Sequence, residues 1–406
     1  MKCWRRIAVL AATVLSAAGL TFAAPASAAT VHLVRTSALA MASTNDKVDA
    51  LAYARGVVYA GGMFTRMRFR GKSYIRHHLG AVRSATGRPT SFHPGINGEV
   101  MSLAVSPDKK VLYVGGRFTA VGKAARSNVA AFSTSTGRLT RFAPAVGGPV
   151  KAIAVTSGGV YLGGNFHRVN GTIRTFAAEV TRRGNLKPWA PVLDGFVRAL
   201  LVSPDKSRIF LGGGFHHVNG VTYEALGSVN ATTGADEKFR NGLIPTYTGG
   251  HASQVTSLTT NGIRIFAGAE GTGTGIFDGT LAFRPRDGKL FWRNTCRGAT
   301  QAVLYLRGVL YKASHAHDCS SAGGFGEIQQ HWQPHRLLAE NTANGKLLRW
   351  GTTARSVPQP LPNTNAGLHN KLGPYALATD GRQLFVAGEF TGVNGKPQEG
   401  LARFGG

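Results

Sequence analysis

Carboxylates are scarce in this chain of 406 residues: 19 Asp and Glu stand against 47 Lys and Arg, a formal net charge of +28. So large an excess of one sign points to an anionic surrounding, an attraction that weakens with salt. Charged residues of either sign make up only 16% and hydrophobic ones 43%, which excludes a disordered chain, and no G-X-Y period marks a collagen-like one. Beyond residues 7–24 no apolar run is long enough to cross a bilayer. Recognisable catalytic motifs are also missing: no G-x-S-x-G elbow, no H-E-x-x-H and no phosphate-binding glycine loop with its lysine. Cysteine occurs three times.

The first 29 residues read as a secretory signal peptide: a basic start (Lys2, Arg5, Arg6), an apolar stretch from Ile7 to Ala24, and Pro25-Ala26-Ser27-Ala28 with a small-x-small cleavage pattern. The alternative, an uncleaved membrane anchor, fits less well because the run stops at a proline. Arg5-Arg6 hints at twin-arginine export, but Trp4 and Ala8 around it fit ordinary secretion better. Residues 30–406 are expected to form one secreted domain, extracellular or held at the cell wall, and monomeric. Cys3 leaves with the leader, so Cys296 and Cys319 remain as the expected disulfide.

Glycine, at 54 residues, is abundant, and a repeat accounts for much of it. Leu112-Tyr113-Val114-Gly115-Gly116-Arg117-Phe118 recurs from Val58, Val160, Ile209 and Leu384, with degenerate copies at Ile265–Ala269 and Leu310–Ser314, giving seven units. Each copy follows an alternating strand and a tight turn such as Ser106-Pro107-Asp108-Lys109, and a third strand then leads to a second turn such as Thr136-Gly137. A fourth strand ends in an aromatic: Phe92, Phe142, Trp189, Phe239, Trp292 or Trp350. Four short strands per unit of roughly 50 residues, seven times over, predict an all-β fold: a seven-bladed β-propeller of four-stranded antiparallel blades. Unit 7 stops after its third strand, so Val31–Ala38 is expected to supply its outer strand and close the ring.

These residues resemble the secreted bacterial β-propellers of the delta-60 repeat type, a family of unknown function, and more distantly the YVTN-like and quinoprotein-like propellers. The resemblance runs over nearly all of residues 45–404, and its motifs are turns, glycines and core aromatics, so it implies a fold and no catalytic residues. The two later cysteines are not adjacent, unlike the vicinal pair of some quinoprotein dehydrogenases, and no Ser-x-Asp-x-Gly-x-Thr-Trp box of the sialidases recurs.

In such a fold the loops after the second strands share one face with the blade crossings, and this face carries the long segments 65–78, 240–254, 270–280, 314–336 and 352–373. Most of the 13 histidines fall there. Three candidate sites follow. His315, His317, Asp318, His331 and His335 suggest a divalent metal such as zinc, copper or nickel, or else a hydrogen-bonded loop pinned by the disulfide. The starts of the inner strands, Asp49, Met101, Lys151, Arg198, Thr256, Gln301 and Tyr375, with Glu389, Asn165 and Arg117 nearby, form a ring of varied charge at the channel mouth, either a ligand site or a wet lining. Arg66, Arg68, Arg70, Lys72 and Arg76, interleaved with Phe69 and Tyr74, make a basic loop that suits an anion. Comparable charge at Arg88, Arg138, Arg141, Arg182, Arg183 and Lys187 near the opposite hairpins argues against a nucleic-acid footprint, and an anionic wall polymer or glycan is the expected partner. The function expected is a secreted binding or scaffold module; the rival is a metal-dependent lyase or hydrolase on the histidine-rich face.

Overall fold

The computed structural model describes residues 31–237, 239–240, 242–245, 253–271, 276–327, 335–350 and 373–406. These residues contain no α-helix; the helical content is one 3-10 turn, Ser320–Ala322. Each of the seven sequence units forms an antiparallel sheet in the order first, second, third strand. In unit 1 these are Val48–Ala54, Val57–Gly62 and Leu79–Arg83; in unit 2, Glu99–Val105, Val111–Arg117 and Val129–Ser133. The first strands pack side by side in chain order, and Gly373–Thr379 of unit 7 packs back against Val48–Ala54 of unit 1.

The paired glycines have distinct duties. A Cβ on Gly115 would lie 2.7 Å from Val150 Cγ1, on the first strand of the next unit, while one on Gly116 would lie 2.0 Å from Glu99 O of its own sheet. Gly61 and Gly62, Gly163 and Gly164, and Gly212 and Gly213 repeat the pattern. The first glycine thus admits a neighbouring unit and the second admits the partner strand's backbone.

The fourth strand departs from expectation. Unit 5 has a full one, Leu290–Asn294, but in units 1 to 4 and 6 the ladder is a single bridge, as at Val82–Pro89 and Phe132–Leu139. The cause is local in units 1 and 2. Thr90 Oγ1 and Thr140 Oγ1 each accept from the amide two residues on, at 3.2 Å, curling the chain away. The Thr90 and Thr140 carbonyls are then taken by the guanidinium groups of Arg76 and Arg126, at 2.5 and 2.9 Å. The terminal aromatic lies on the aromatic of its unit's glycine motif: Phe92 on Tyr59, Phe142 on Tyr113, Trp189 on Tyr161 and Trp350 on Tyr311, with centroids 5.0 to 5.4 Å apart and steeply crossed planes.

The N-terminal segment joins the last strand of unit 7 at the end of the expected stretch and one residue beyond it: the Arg35 amide donates to Gly405 O at 2.7 Å, and Ala38–Leu39 pairs with Phe404 and Arg403. Upstream, Val34 is buried; its amide donates to Tyr311 Oη at 2.8 Å and its carbonyl accepts from Trp350 Nε1 at 2.7 Å. Downstream, the Ala42 amide donates to Gly87 O at 2.9 Å. One segment therefore ties together units 6, 7 and 1.

Candidate functional site

In all seven sheets the pairing of first and second strands slips by one residue at the same place. The slips fall between Val48 and Ala50, Val100 and Ser102, Val150 and Ala152, Val197 and Ala199, Val255 and Ser257, Thr300 and Ala302, and Pro374 and Ala376. The extra residues are Asp49, Met101, Lys151, Arg198, Thr256, Gln301 and Tyr375, the ring of varied charge picked out in the sequence. A β-bulge of this kind re-aims a side chain. In units 1 to 4 and 7 the second glycine of the motif is pressed against the backbone just before the bulge, whereas units 5 and 6 form the same bulge with Ala269 and Ser314 at that place.

Around this ring the charges are paired in arcs. Lys47 Nζ reaches Asp49 Oδ1 at 3.2 Å and Glu99 Oε1 at 2.8 Å. Burial alone would lower the Lys47 ammonium, but Asp49 and Glu99 together raise it. Asp49 Oδ2 is buried without a hydrogen-bond partner among the described residues, and burial pushes this carboxyl up to about 6, with Lys47 opposing and Glu99 and Glu389 adding to the rise. Tyr375 Oη donates to Glu389 Oε2 at 3.4 Å; burial, and then Glu389, push the phenol up to about 12. On the other arc Arg198 pairs with Glu270 and donates to Gln254 Oε1 at 3.2 Å, while Gln301 Nε2 donates to Glu270 Oε2 at 2.6 Å. Lys151 Nζ sits 4.8 Å over the Phe196 ring, its pKa lowered by burial and by Arg198 and Arg117. Beside the acidic arc, a cleft between units 7 and 1 is lined by Asp46, Lys47, Glu389 and Glu399 among others.

The histidine cluster is dispersed. His315 occupies the glycine-motif column of Glu389 and Glu270, and burial followed by Arg336 and His317 pushes its imidazole down to about 4. His317 Nδ1 contacts Glu327 Oε1 at 2.8 Å. Asp318 Oδ1 accepts from the Ser320 amide and hydroxyl at 2.9 and 2.7 Å. His335 stacks on Phe325 at 3.6 Å, and burial pushes it down to about 4. His331 lies outside the described residues. Among the described residues no three His, Cys, Asp or Glu side chains are gathered to hold a metal. Cys296 and Cys319 form the expected disulfide.

The basic loop is a hairpin, Arg66–Phe69 paired with Lys72–Ile75, at the bulge end of unit 1. Arg66, Arg68, Arg70 and Lys72 are exposed, and none makes an ion pair among the described residues. Arg76 separates from them: it is buried, and its guanidinium donates to the Ile75 and Thr90 carbonyls at 2.6 and 2.5 Å.

The sequence reading grouped segment 65–78 with four other long segments of the same face. Short hairpins in fact recur at Ala120–Ala125, Arg168–Ile173, His217–Thr222 and Gly392–Pro397. The signal was present in Val169-Asn170-Gly171, Val218-Asn219-Gly220 and Val393-Asn394-Gly395, where both turn residues take positive φ as a tight hairpin requires. Lys47, Glu99 and Glu270 were also missed, although Glu270 shares a column with Glu389.

Among solved structures, a chain from one described as a crystal structure of the mitotic checkpoint complex is similar over 98% of this chain and 99% of its own, with a TM-score of 0.54 and 13% identity. The chain has a β-propeller-like all-β fold. A computationally designed protein, Ika8, is similar over 90% of this chain and 98% of its own at a TM-score of 0.47 and 12% identity. No family model matches the chain, and no curated protein matches it. No helix of the described residues is long and apolar enough to cross a membrane.

Proposed function

We propose that this is a secreted seven-bladed β-propeller of the delta-60 repeat type, its ring closed by the N-terminal segment, that binds an anionic wall polymer or glycan on the face bearing the bulges. The return packing of unit 7 on unit 1 and the pairing of Ala38–Leu39 with the last strand support the ring. The disulfide agrees with an oxidising compartment. The observation that carries the binding reading is the hairpin of unit 1, which holds Arg66, Arg68, Arg70 and Lys72 exposed at the bulge end. Cations fixed on a hairpin and free of carboxylates attract a polyanion at little conformational expense. The carboxylates lie inward, at Asp49, Glu99 and Glu389, where they suit a cationic or hydroxyl-bearing part of the same ligand.

The test is retention of the secreted protein on an immobilised sulfated glycan such as heparin, eluted with a salt gradient. Replacing Arg66, Arg68, Arg70 and Lys72 together by Gln is expected to move elution to clearly lower salt. Replacing Arg88, Arg138 and Arg141 at the opposite turns is expected to move it much less. Equal shifts from the two sets would refute a binding face and leave only diffuse attraction.

A further inference from the structure

Lys312, in the middle of the second strand of unit 6, projects into the sheet stack beside unit 5. Lys312 and Glu340 are both wholly buried, with Nζ 3.4 Å from Glu340 Oε1, and Nζ has no hydrogen-bond partner among the described residues. The same Glu340 oxygen accepts from Asn294 Nδ2 at 2.9 Å, and Asn294 is itself buried at the end of the fourth strand of unit 5. Glu340 Oε2 is held by Thr280 Oγ1 at 2.7 Å. Asn294 Oδ1 accepts from the Cys296 amide at 2.9 Å. A primary amine and a primary amide thus meet across one carboxyl oxygen, in a site closed by apolar side chains. Trp292 and Leu310, two residues before Asn294 and Lys312 on their strands, belong to one cluster with Phe266.

We propose that Lys312 and Asn294 join as an intramolecular amide cross-link, with Glu340 as the proton carrier. Nζ, as the neutral amine, attacks Asn294 Cγ, whose carbonyl is polarised by the Cys296 amide. The Nζ–Cγ bond forms, a proton passes from Nζ through the Glu340 carboxyl to Nδ2, and the Cγ–Nδ2 bond breaks with loss of one ammonia. Glu340 returns to its starting state, and no oxidant, reductant or metal takes part. Burial lowers the Lys312 ammonium and raises the Glu340 carboxyl, which favours the uncharged amine and the protonated acid that this route needs. Holding both groups against the same Glu340 oxygen within a dry, fixed site supplies the effective concentration. The product removes an otherwise costly buried charge pair and ties unit 5 to unit 6 beside the Cys296–Cys319 disulfide, at the junction where the regular Asn-Gly hairpin is absent from the sequence.

Intact-mass spectrometry of the denatured, fully reduced protein tests this. The expected mass is lower than that of the mature chain by one ammonia, and proteolysis after reduction is expected to give a branched peptide joining the Lys312 and Asn294 segments. Lys312→Met, Asn294→Ala and Glu340→Gln are each expected to abolish the branched peptide, and Asn294→Asp to replace the loss of ammonia by loss of water. A wild-type protein of unshifted mass overturns the proposal, whether or not the variants fold. A branched peptide that persists in Glu340→Gln overturns the role of Glu340.

Discussion

Asp49 is a carboxylate held where folding alone would not choose one. Its side chain is 17% exposed, one oxygen lacks a hydrogen-bond partner among the described residues, and burial, with help from Glu99 and Glu389, lifts it from 3.8 to about 6 despite Lys47. A shift of that size corresponds to about 3 kcal/mol of differential stability between its two protonation states. The sign follows from the rise: the favourable contribution of the protonated carboxyl is complete below pH 3.8 and is lost as the pH climbs through about 6. Asp49→Asn keeps the shape and removes the ionisation, but it also takes one partner from Lys47, which retains Glu99 at 2.8 Å. The net expectation is therefore a variant more stable than wild type by about 1 to 2 kcal/mol at pH 7 to 8, with the difference vanishing by about pH 4. Denaturant titrations of both proteins at closely spaced pH values measure it. A variant less stable than wild type at pH 7, or a difference that does not change between pH 4 and 7, would refute the reasoning. Confirmation would mean that stability is given up at this bulge position, as binding sites commonly require.

Removing residues 30–42 is expected to lower the thermal midpoint of the whole protein in one transition, because Val34, Ala38–Leu39 and Ala42 bind units 6, 7 and 1 in turn; an unchanged midpoint would sink the closure reading. Gly116→Ala, whose Cβ would meet Glu99 O at 2.0 Å, is expected to lose about 1 to 3 kcal/mol in denaturant titration, while Gly158→Ala, whose nearest neighbour is 3.8 Å away, should be close to neutral. Arg126→Gln removes the donor from the half-buried Thr140 carbonyl and is expected to lose about 1 kcal/mol in denaturant titration. Arg68→Gln, on an exposed hairpin position, should leave stability unchanged and weaken only heparin retention.

The fold was legible in the sequence where one physical demand recurs in every unit. Two glycines at a fixed place read as close approach, and the structure supplies the two distinct objects approached, a neighbouring unit's valine and the unit's own backbone. The ring of bulge positions was legible for a similar reason: a position that varies in charge beside one that stays small has a different environment, although nothing in a single strand announces that it is a bulge. What escaped notice depended on partners far away in the chain. Arg76 was grouped with Arg66, Arg68, Arg70 and Lys72 because all five are basic and adjacent, yet its guanidinium is claimed by a carbonyl 14 residues further on. His315, His317 and Asp318 looked like one cluster because residues two apart on a strand share a face, but the strand ends at Ala316, so that alternation stops between the two histidines. One joins the glycine-motif column and another turns to Glu327.

Those two regroupings change where chemistry is to be sought. In a chain with 47 basic and 19 acidic residues, carboxylates are the rarer resource, and their placement is the more informative. Asp46, Asp49, Glu99, Glu389 and Glu399 gather around the mouth and the cleft between units 7 and 1, while exposed arginines occupy the hairpin outside them. The separation is local: on the side of units 7 and 1 an exposed basic hairpin at the rim stands beside a group of carboxylates neutralised in part by Lys47, while Lys151 and Arg198 keep the rest of the ring mixed in sign. A basic rim beside an acidic patch favours a ligand that carries both signs. A uniformly anionic polymer would use the rim alone. Binding measured with glycans that differ only in free amino groups therefore separates the two cases: amine-bearing chains should bind more tightly to wild type, and the advantage should disappear in Asp49→Asn.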